Sequence, residues 1–170
     1  MPRYVALLRA VNVGGTGKLT MSDLRKLCAE AGFERVETYI ASGNVVFESA
    51  APARRVKAAL EARLDGLMGK PTTVLLRTAA EILAVFEANP FPSAAPKHTY
   101  AVFLDQPPRS DVLAGVKGQT DEEIVVGEKE ILVHYPSGMG RSKLRIPAAE
   151  VGTARNMNTV AKLVEMAGAS

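Results

Sequence analysis

The sequence predicts an α+β protein of two lobes, the first a ferredoxin-like βαββαβ sandwich and the second a smaller αβαββα unit. Apolar runs with strand character alternate with amphipathic helical segments along the chain. In the first half a Ser-Gly-Asn turn joins two strands directly, as in a split-βαβ arrangement. A capping box then opens a new helix after the fourth strand. We therefore assign residues 1–77 to the first lobe and residues 78–170 to a second α+β lobe packed on the first.

The first lobe begins with an apolar strand at residues 4–10, in which a single charge, Arg9, comes near the end. A loop of sequence Asn-Val-Gly-Gly-Thr-Gly-Lys follows the strand. Thr20 is a typical N-cap residue, and Asp23 stands three positions later. This pattern predicts a helix over residues 21–31.

A hairpin, a second helix and a fourth strand complete the first lobe. Residues 35–41 and 45–47 have strand character on either side of the Ser-Gly-Asn turn. Pro52 opens a helix whose apolar residues recur on one face, and residues 72–77 form the fourth strand. In a ferredoxin-like sheet the strand order is 4-1-3-2, so the end of the first strand is expected beside the start of the third.

The second lobe opens with a capping box, Thr78 to Glu81, at the start of a helix that continues to Phe86. A Pro/Ala-rich loop at residues 93–97 follows this helix and offers a position for the boundary between lobes. The remaining predicted elements are a strand at residues 99–104, a short helix at 112–116, hairpin strands at 123–126 and 130–135, and a closing helix after residue 158.

The composition narrows the class of protein. The chain of 170 residues has a net charge of +3, no Trp and 5% aromatic residues, which argues against a platform of rings that stack on bases. Its single cysteine, Cys28, excludes an internal disulfide and is expected to be a small buried hydrophobe. No apolar run is long enough to span a membrane. We expect a cytoplasmic protein; the sequence identifies no cofactor and leaves the oligomeric state open.

Two glycine-rich loops carry the candidate functional residues. At the rim of the first sheet, hydrogen-bond donors dominate and carboxylates are absent, which favours an anion. The donors of this rim are Arg9, Asn12, Lys18, Ser42, Asn44 and Lys70. The alternative is that the glycines only turn the chain, that Asn12 and Asn44 satisfy their own backbone, and that Lys18 is a solvated lysine.

The second loop has the sequence Pro-Ser-Gly-Met-Gly-Arg-Ser-Lys at residues 136–143. It gathers cations that suit a phosphate or a carboxylate, namely Arg141, Lys143, Arg145 and, further on, Arg155. The alternative is a solvated basic edge or an ion pair with Glu150. The neighbouring Glu122-Glu123 pair is interpreted as a solvated stretch.

Several well-known binding motifs are excluded, because the residues that they require do not occur at the required spacing. Gly17-Lys18 is followed by Leu19, so the hydroxyl of a Walker A motif is missing, and no GxGxxG motif occurs. Two alternatives to a small-anion site remain open. One is a binder of single-stranded RNA or DNA, and the other is a phosphoryl- or acyl-transfer enzyme that uses Ser42 or Tyr39 activated by Lys18.

Four motifs give the chain a resemblance to the bacterial domain-of-unknown-function family 1697. The motifs are Leu-Leu-Arg-Ala-Val-Asn-Val-Gly-Gly at residues 7–15, Thr-Tyr-Ile-Ala-Ser-Gly-Asn-Val-Val-Phe at 38–47, Asn-Pro-Phe at 89–91 and Thr-Ala-Arg-Asn-Met-Asn-Thr at 153–159. The resemblance implies a two-lobed α+β fold and carries no established activity. Members usually have Trp where this chain has Met157.

The family's motif positions that carry over to this chain are predominantly polar, which favours a ligand site over packing. They are Arg9, Asn12, Gly14, Gly15, Lys18, Tyr39, Ser42, Gly43, Asn44, Lys143, Arg155 and Asn156. We therefore expect a phosphate- or carboxylate-bearing molecule to bind along the rim of the first sheet, with Lys143 and Arg155 closing from the second lobe.

Overall fold

The fold is α+β, as the sequence predicts. A computed structural model describes residues 1–9, 19–39, 43–69 and 71–168. These residues contain two four-stranded antiparallel sheets and four α-helices. The chain divides into two compact units, the first comprising Met1–Leu83 with Leu163–Ser170 and the second Ala84–Lys162.

The sheet of the first unit has the order β2-β3-β1-β4 with every neighbouring pair antiparallel. This is the order that the sequence predicts, read from the other edge. The strands are β1 (Arg3–Leu8), β2 (Glu34–Tyr39), β3 (Asn44–Glu48) and β4 (Val74–Thr78).

Both helices of this sheet begin where their sequences predict. In α1 (Met21–Glu30) the Thr20 hydroxyl accepts a hydrogen bond from the Asp23 N–H at 2.9 Å, and the Asp23 carboxylate accepts one from the Thr20 N–H at 3.4 Å. This is the capping box expected from the sequence. Helix α2 (Ala53–Met68) follows Pro52 and ends at Gly69, whose φ of 71° lies in the left-handed region.

The core of the first unit lies between α1, α2 and one face of the sheet. Phe47 of β3 is fully buried there, and its ring stacks on Phe33 with a centroid distance of 4.4 Å. Cys28 belongs to the same cluster, and burial raises the pKa of its thiol to about 12. Cys28 is therefore the buried hydrophobe that the sequence predicts.

The second unit is built on a sheet of order β6-β7-β5-β8, again antiparallel throughout. Helix α3 (Ala79–Glu87) and helix α4 (Met157–Met166) each contain a boundary between the two units. The elements are α3 (Ala79–Glu87), β5 (Thr99–Phe103), β6 (Glu123–Val126), β7 (Glu130–His134), β8 (Thr153–Asn156) and α4 (Met157–Met166). The capping box of α3 forms as predicted, with the Glu81 N–H donating to the Thr78 hydroxyl at 3.1 Å.

Two details of the second unit differ from the prediction. The expected helix at residues 112–116 is wrong: the segment forms successive tight turns, such as Ala114 N–H to Asp111 carbonyl, and Gly115 has a φ of 80°. Strand β8 was not predicted. It has only four residues and passes directly into α4, where Asn156 accepts a hydrogen bond from the Thr159 N–H, so no turn residue marks its end.

No helix among the described residues is both long and apolar enough to cross a membrane.

Candidate functional site

The end of β1 lies between the hairpin turn and the segment that leads into β4. The Leu8 N–H donates to the Gly43 carbonyl at 2.9 Å, and the Arg9 N–H donates to the Thr73 carbonyl at 3.0 Å. The structure therefore brings Arg9 and Gly43 to one edge of the sheet, as the strand order predicts. Six further residues predicted at the rim lie outside the described residues, and their position stays a prediction; they are Asn12, Gly14, Gly15, Lys18, Ser42 and Lys70.

Asn44 supports the hairpin turn from inside. Its side chain is 1% exposed, and its Nδ2 donates to the carbonyl of Tyr39, its partner across β2 and β3, at 3.0 Å. Gly43 between the strands has a φ of 80°, a conformation that favours glycine. Asn44 thus holds the facing strand β2 at the hairpin turn, and a role in ligand binding stays a prediction.

An acidic residue lies at the N-terminus of α1, where the helix dipole is positive. The Asp23 carboxylate lies in the first turn and is hydrogen-bonded to the Thr20 N–H. A carboxylate at this position offsets part of the positive end of the helix dipole.

Arg155 and Asn156 have structural partners. Arg155 is 6% exposed, and its guanidinium donates to the Thr153 hydroxyl at 2.7 Å and to the Ala154 carbonyl at 2.9 Å. Burial lowers the pKa of Arg155 to about 10, which leaves it charged at neutral pH. Asn156 caps α4, and Met157 is a buried core residue.

A cavity of about 370 Å³ lies in the second unit beside the glycine-rich loop at residues 136–143. Lys143 and Arg141 of the loop line it, together with Glu122, Tyr135 and Ser142. The sequence predicted the cations of this loop, but it gave no sign of the cavity, because the lining comes from segments about twenty residues apart that share no motif.

Glu122 lines the cavity, and its interpretation as a solvated residue is wrong. It is 5% exposed, and its carboxylate accepts hydrogen bonds from the Ser142 hydroxyl and, at 2.6 Å, from the Thr120 N–H. These bonds, with the Ser142 hydroxyl first, lower the pKa of Glu122 to about 2. Burial raises the pKa of Tyr135, and the negative charge of Glu122 raises it further. The wall therefore carries a fixed negative charge at neutral pH.

The cations predicted near the second loop are separated by the structure. Arg145 pairs with Glu150 at 2.9 Å, the alternative that the sequence left open, while Arg155 is buried in β8. Arg141 and Lys143 line the cavity, and within the described part of the chain neither has an ion-pair partner.

The low pKa of Glu122 makes its contribution to stability dependent on pH. A carboxyl group whose pKa is lower in the folded than in the unfolded state stabilises the fold above the unfolded-state pKa. For Glu122 this contribution is complete above about 4.5 and is lost as the pH falls toward about 2. We expect Glu122→Gln to be less stable than wild type at pH 7, with the difference shrinking between pH 4.5 and 2 in urea unfolding.

Glu128→Gln is the control, because Glu128 is an exposed carboxylate of the same unit with no partner among the described residues. Its free energy of unfolding should follow that of wild type at every pH. A Glu122→Gln deficit that stays constant down to pH 2 contradicts the lowered pKa.

Comparisons with known proteins match a family model and the fold of a solved structure. A family model described as a protein of unknown function, DUF1697, matches residues 1–132. A solved structure, the conserved bacterial protein SP0830 from Streptococcus pneumoniae, is 26% identical, covers 98% of each chain and superposes with a TM-score of 0.81. No curated protein matches the chain. The matched family region includes the sheet edge at Arg9 and ends before the loop at residues 136–143.

Proposed function

The chain belongs to the DUF1697 family of proteins of unknown function, and we propose that it binds a small phosphate- or carboxylate-bearing molecule at the rim of its first sheet. The observation that carries the proposal is the meeting of three chain segments at the end of β1. Leu8 and Arg9 are hydrogen-bonded there to Gly43 on one side and to Thr73 on the other.

The sequences next to these anchored residues supply donors and no acids. Residues 10–18, 40–42 and 70 contain three glycines, two lysines and no Asp or Glu. Backbone N–H groups of glycine-rich loops approach an anion closely, and lysine adds a full positive charge. Arg9, half-buried at the strand end, brings a guanidinium to the same edge. This chemistry favours phosphate or carboxylate over a cation.

The burial of the sheet weighs against the nucleic-acid alternative. RNA-binding sheets of this kind expose aromatic side chains on which bases stack. In this chain every residue from Tyr4 to Leu8 of β1 is buried, as are Val45, Val46 and Phe47 of β3. A nucleic acid strand therefore finds no open face on these central strands, which leaves the rim as the favoured place for an anionic ligand.

A thermal-shift screen tests the proposal. Inorganic phosphate, nucleotides, sugar phosphates and carboxylates are added in turn, and the melting temperature is measured. A ligand that binds only the folded state stabilises it by about 2.7 kcal/mol at a hundredfold excess over Kd. We expect at least one phosphate or carboxylate compound to raise the wild-type melting temperature, and Lys18→Ala and Arg9→Ala to lose most of that rise.

Lys26→Ala is the matched control, since Lys26 is an exposed cation of α1 and its loss changes the net charge equally. It should keep the full shift. If Lys18→Ala and Lys26→Ala respond like wild type to the best ligand, the rim is only a turn and the proposal fails. Binding of single-stranded RNA with a steep dependence on salt would favour the nucleic-acid alternative instead.

A further inference from the structure

We propose that the cavity of the second unit is a separate binding site for a small zwitterion, a molecule of the amino-acid class that carries both an ammonium and a carboxylate group. The site is lined entirely by residues of Ala84–Lys162 and does not depend on the rim of the first sheet. Two opposite sets of unpaired charge on the wall of one cavity carry the proposal.

The negative set consists of Glu122 and Asp121. Glu122 has no ion-pair partner among the described residues, so its buried charge is balanced by hydrogen bonds alone. Its Oε1 accepts from the N–H and hydroxyl of Thr120, while its Oε2 accepts from the Ser142 hydroxyl. A carboxylate has about four acceptor positions, so at least one remains for an incoming N–H. Asp121, exposed beside it, accepts from the Ser137 hydroxyl at 2.6 Å.

The positive set consists of Arg141 and Lys143. Both line the cavity, and both lack an ion pair within the part of the chain that the structure describes. Arginine binds a carboxylate with two parallel hydrogen bonds, and lysine adds a mobile point charge. The loop that presents them turns at Gly138, whose φ of 88° favours glycine.

Ligands with only one charge fit this wall less well. A plain anion at Arg141 and Lys143 would share the cavity with the fixed negative charge of Glu122, and like charges repel. A plain amine would leave the two cations without a partner. A volume of about 370 Å³ is at the lower end for small-molecule sites, which suits a ligand the size of a free amino acid.

Isothermal titration calorimetry tests the proposal on the intact chain. The standard free amino acids are titrated singly, and the tightest is compared with its decarboxylated amine and its deaminated acid. The ammonium and the carboxylate of the ligand each contribute a charged hydrogen bond to the binding free energy. Removing either group should therefore weaken binding about tenfold or more. If no amino acid binds, or if the amine or the acid binds as tightly as the amino acid, the zwitterion site is overturned.

Variants locate the binding. Arg141→Ala removes an exposed side chain of the positive set, and Asp121→Asn neutralises an exposed side chain of the negative set. Each should weaken binding of the amino acid about tenfold. Arg109→Ala is the matched control, because Arg109 is an exposed arginine of the same unit that does not line the cavity. Arg9→Ala, at the rim, should also leave amino-acid binding intact. Equal loss in Arg109→Ala, or full binding in both cavity variants, overturns the assignment.

Discussion

Phe47→Ala is expected to lower the free energy of unfolding by about 3–5 kcal/mol, the usual cost of truncating a buried phenylalanine. Phe47 is 0% exposed at the centre of the first core. Its ring stacks on Phe33 at 4.4 Å and tilts toward Tyr4 at 6.0 Å, so truncation removes two aromatic contacts and leaves a cavity. Unfolding in urea, followed by circular dichroism, measures the change.

Phe86→Ala provides the same chemical change at a site that is 40% exposed. Because alanine is also the better helix former, this variant should differ from wild type by less than about 1 kcal/mol. Equal losses in the two variants would show that Phe47 does not hold the core. Since the chain has two compact units, each variant's transition is checked for a single step before free energies are compared.

The elements that the sequence predicted well depend on local interactions. The capping boxes at Thr20 and Thr78 involve residues three positions apart, and both form as expected. The hairpin around Gly43 likewise follows from turn chemistry within a few residues. The strand order of the first sheet then follows from the element order, because short connections restrict how the strands can pair.

The details that the sequence missed depend on contacts between distant segments. In the sequence, Glu122 is one of two adjacent acids and resembles a solvated surface residue. Its burial becomes visible only in the structure, where it accepts a hydrogen bond from Ser142, twenty residues away. Strand β8 is defined by its pairing with β5, for example Arg155 opposite Ala101. The two strands are far apart in the sequence, and the local pattern of apolar residues does not reveal such a pairing. The sequence predicts Arg155 as a ligand-binding cation, but in β8 its side chain is buried.

The candidate sites show the same limit. The rim was predicted from loop composition, and the described residues support the meeting of its flanks at Leu8, Gly43 and Thr73. The cavity of the second unit requires knowing that Gly118, Glu122 and the loop at residues 136–143 are neighbours. Composition alone grouped Arg145 and Arg155 with Arg141 and Lys143, although ion pairing and burial separate them.

Gly118→Ala is expected to destabilise the protein by about 3 kcal/mol, because it combines a left-handed backbone with overpacking. Gly118 has a φ of 74°, and a Cβ placed there would lie 2.1 Å from the Lys143 carbonyl oxygen and 2.7 Å from its carbonyl carbon. The two segments are unable to separate easily. The Lys117 N–H donates to the Arg145 carbonyl at 3.0 Å, and the Arg145 N–H donates back at 2.8 Å.

Gly140→Ala is the matched control, since a Cβ at that position meets no atom within 4 Å. It should change the free energy of unfolding by less than about 0.5 kcal/mol. Because Gly118 and Lys143 both line the cavity, any folded Gly118→Ala protein must displace the Lys143 backbone and should bind the amino acid ligand more weakly than Gly140→Ala. Urea unfolding and calorimetry on the same two proteins measure both effects. Equal stability of the two variants would mean that the segments at residues 117–118 and 143–145 do not approach as closely as their paired hydrogen bonds indicate.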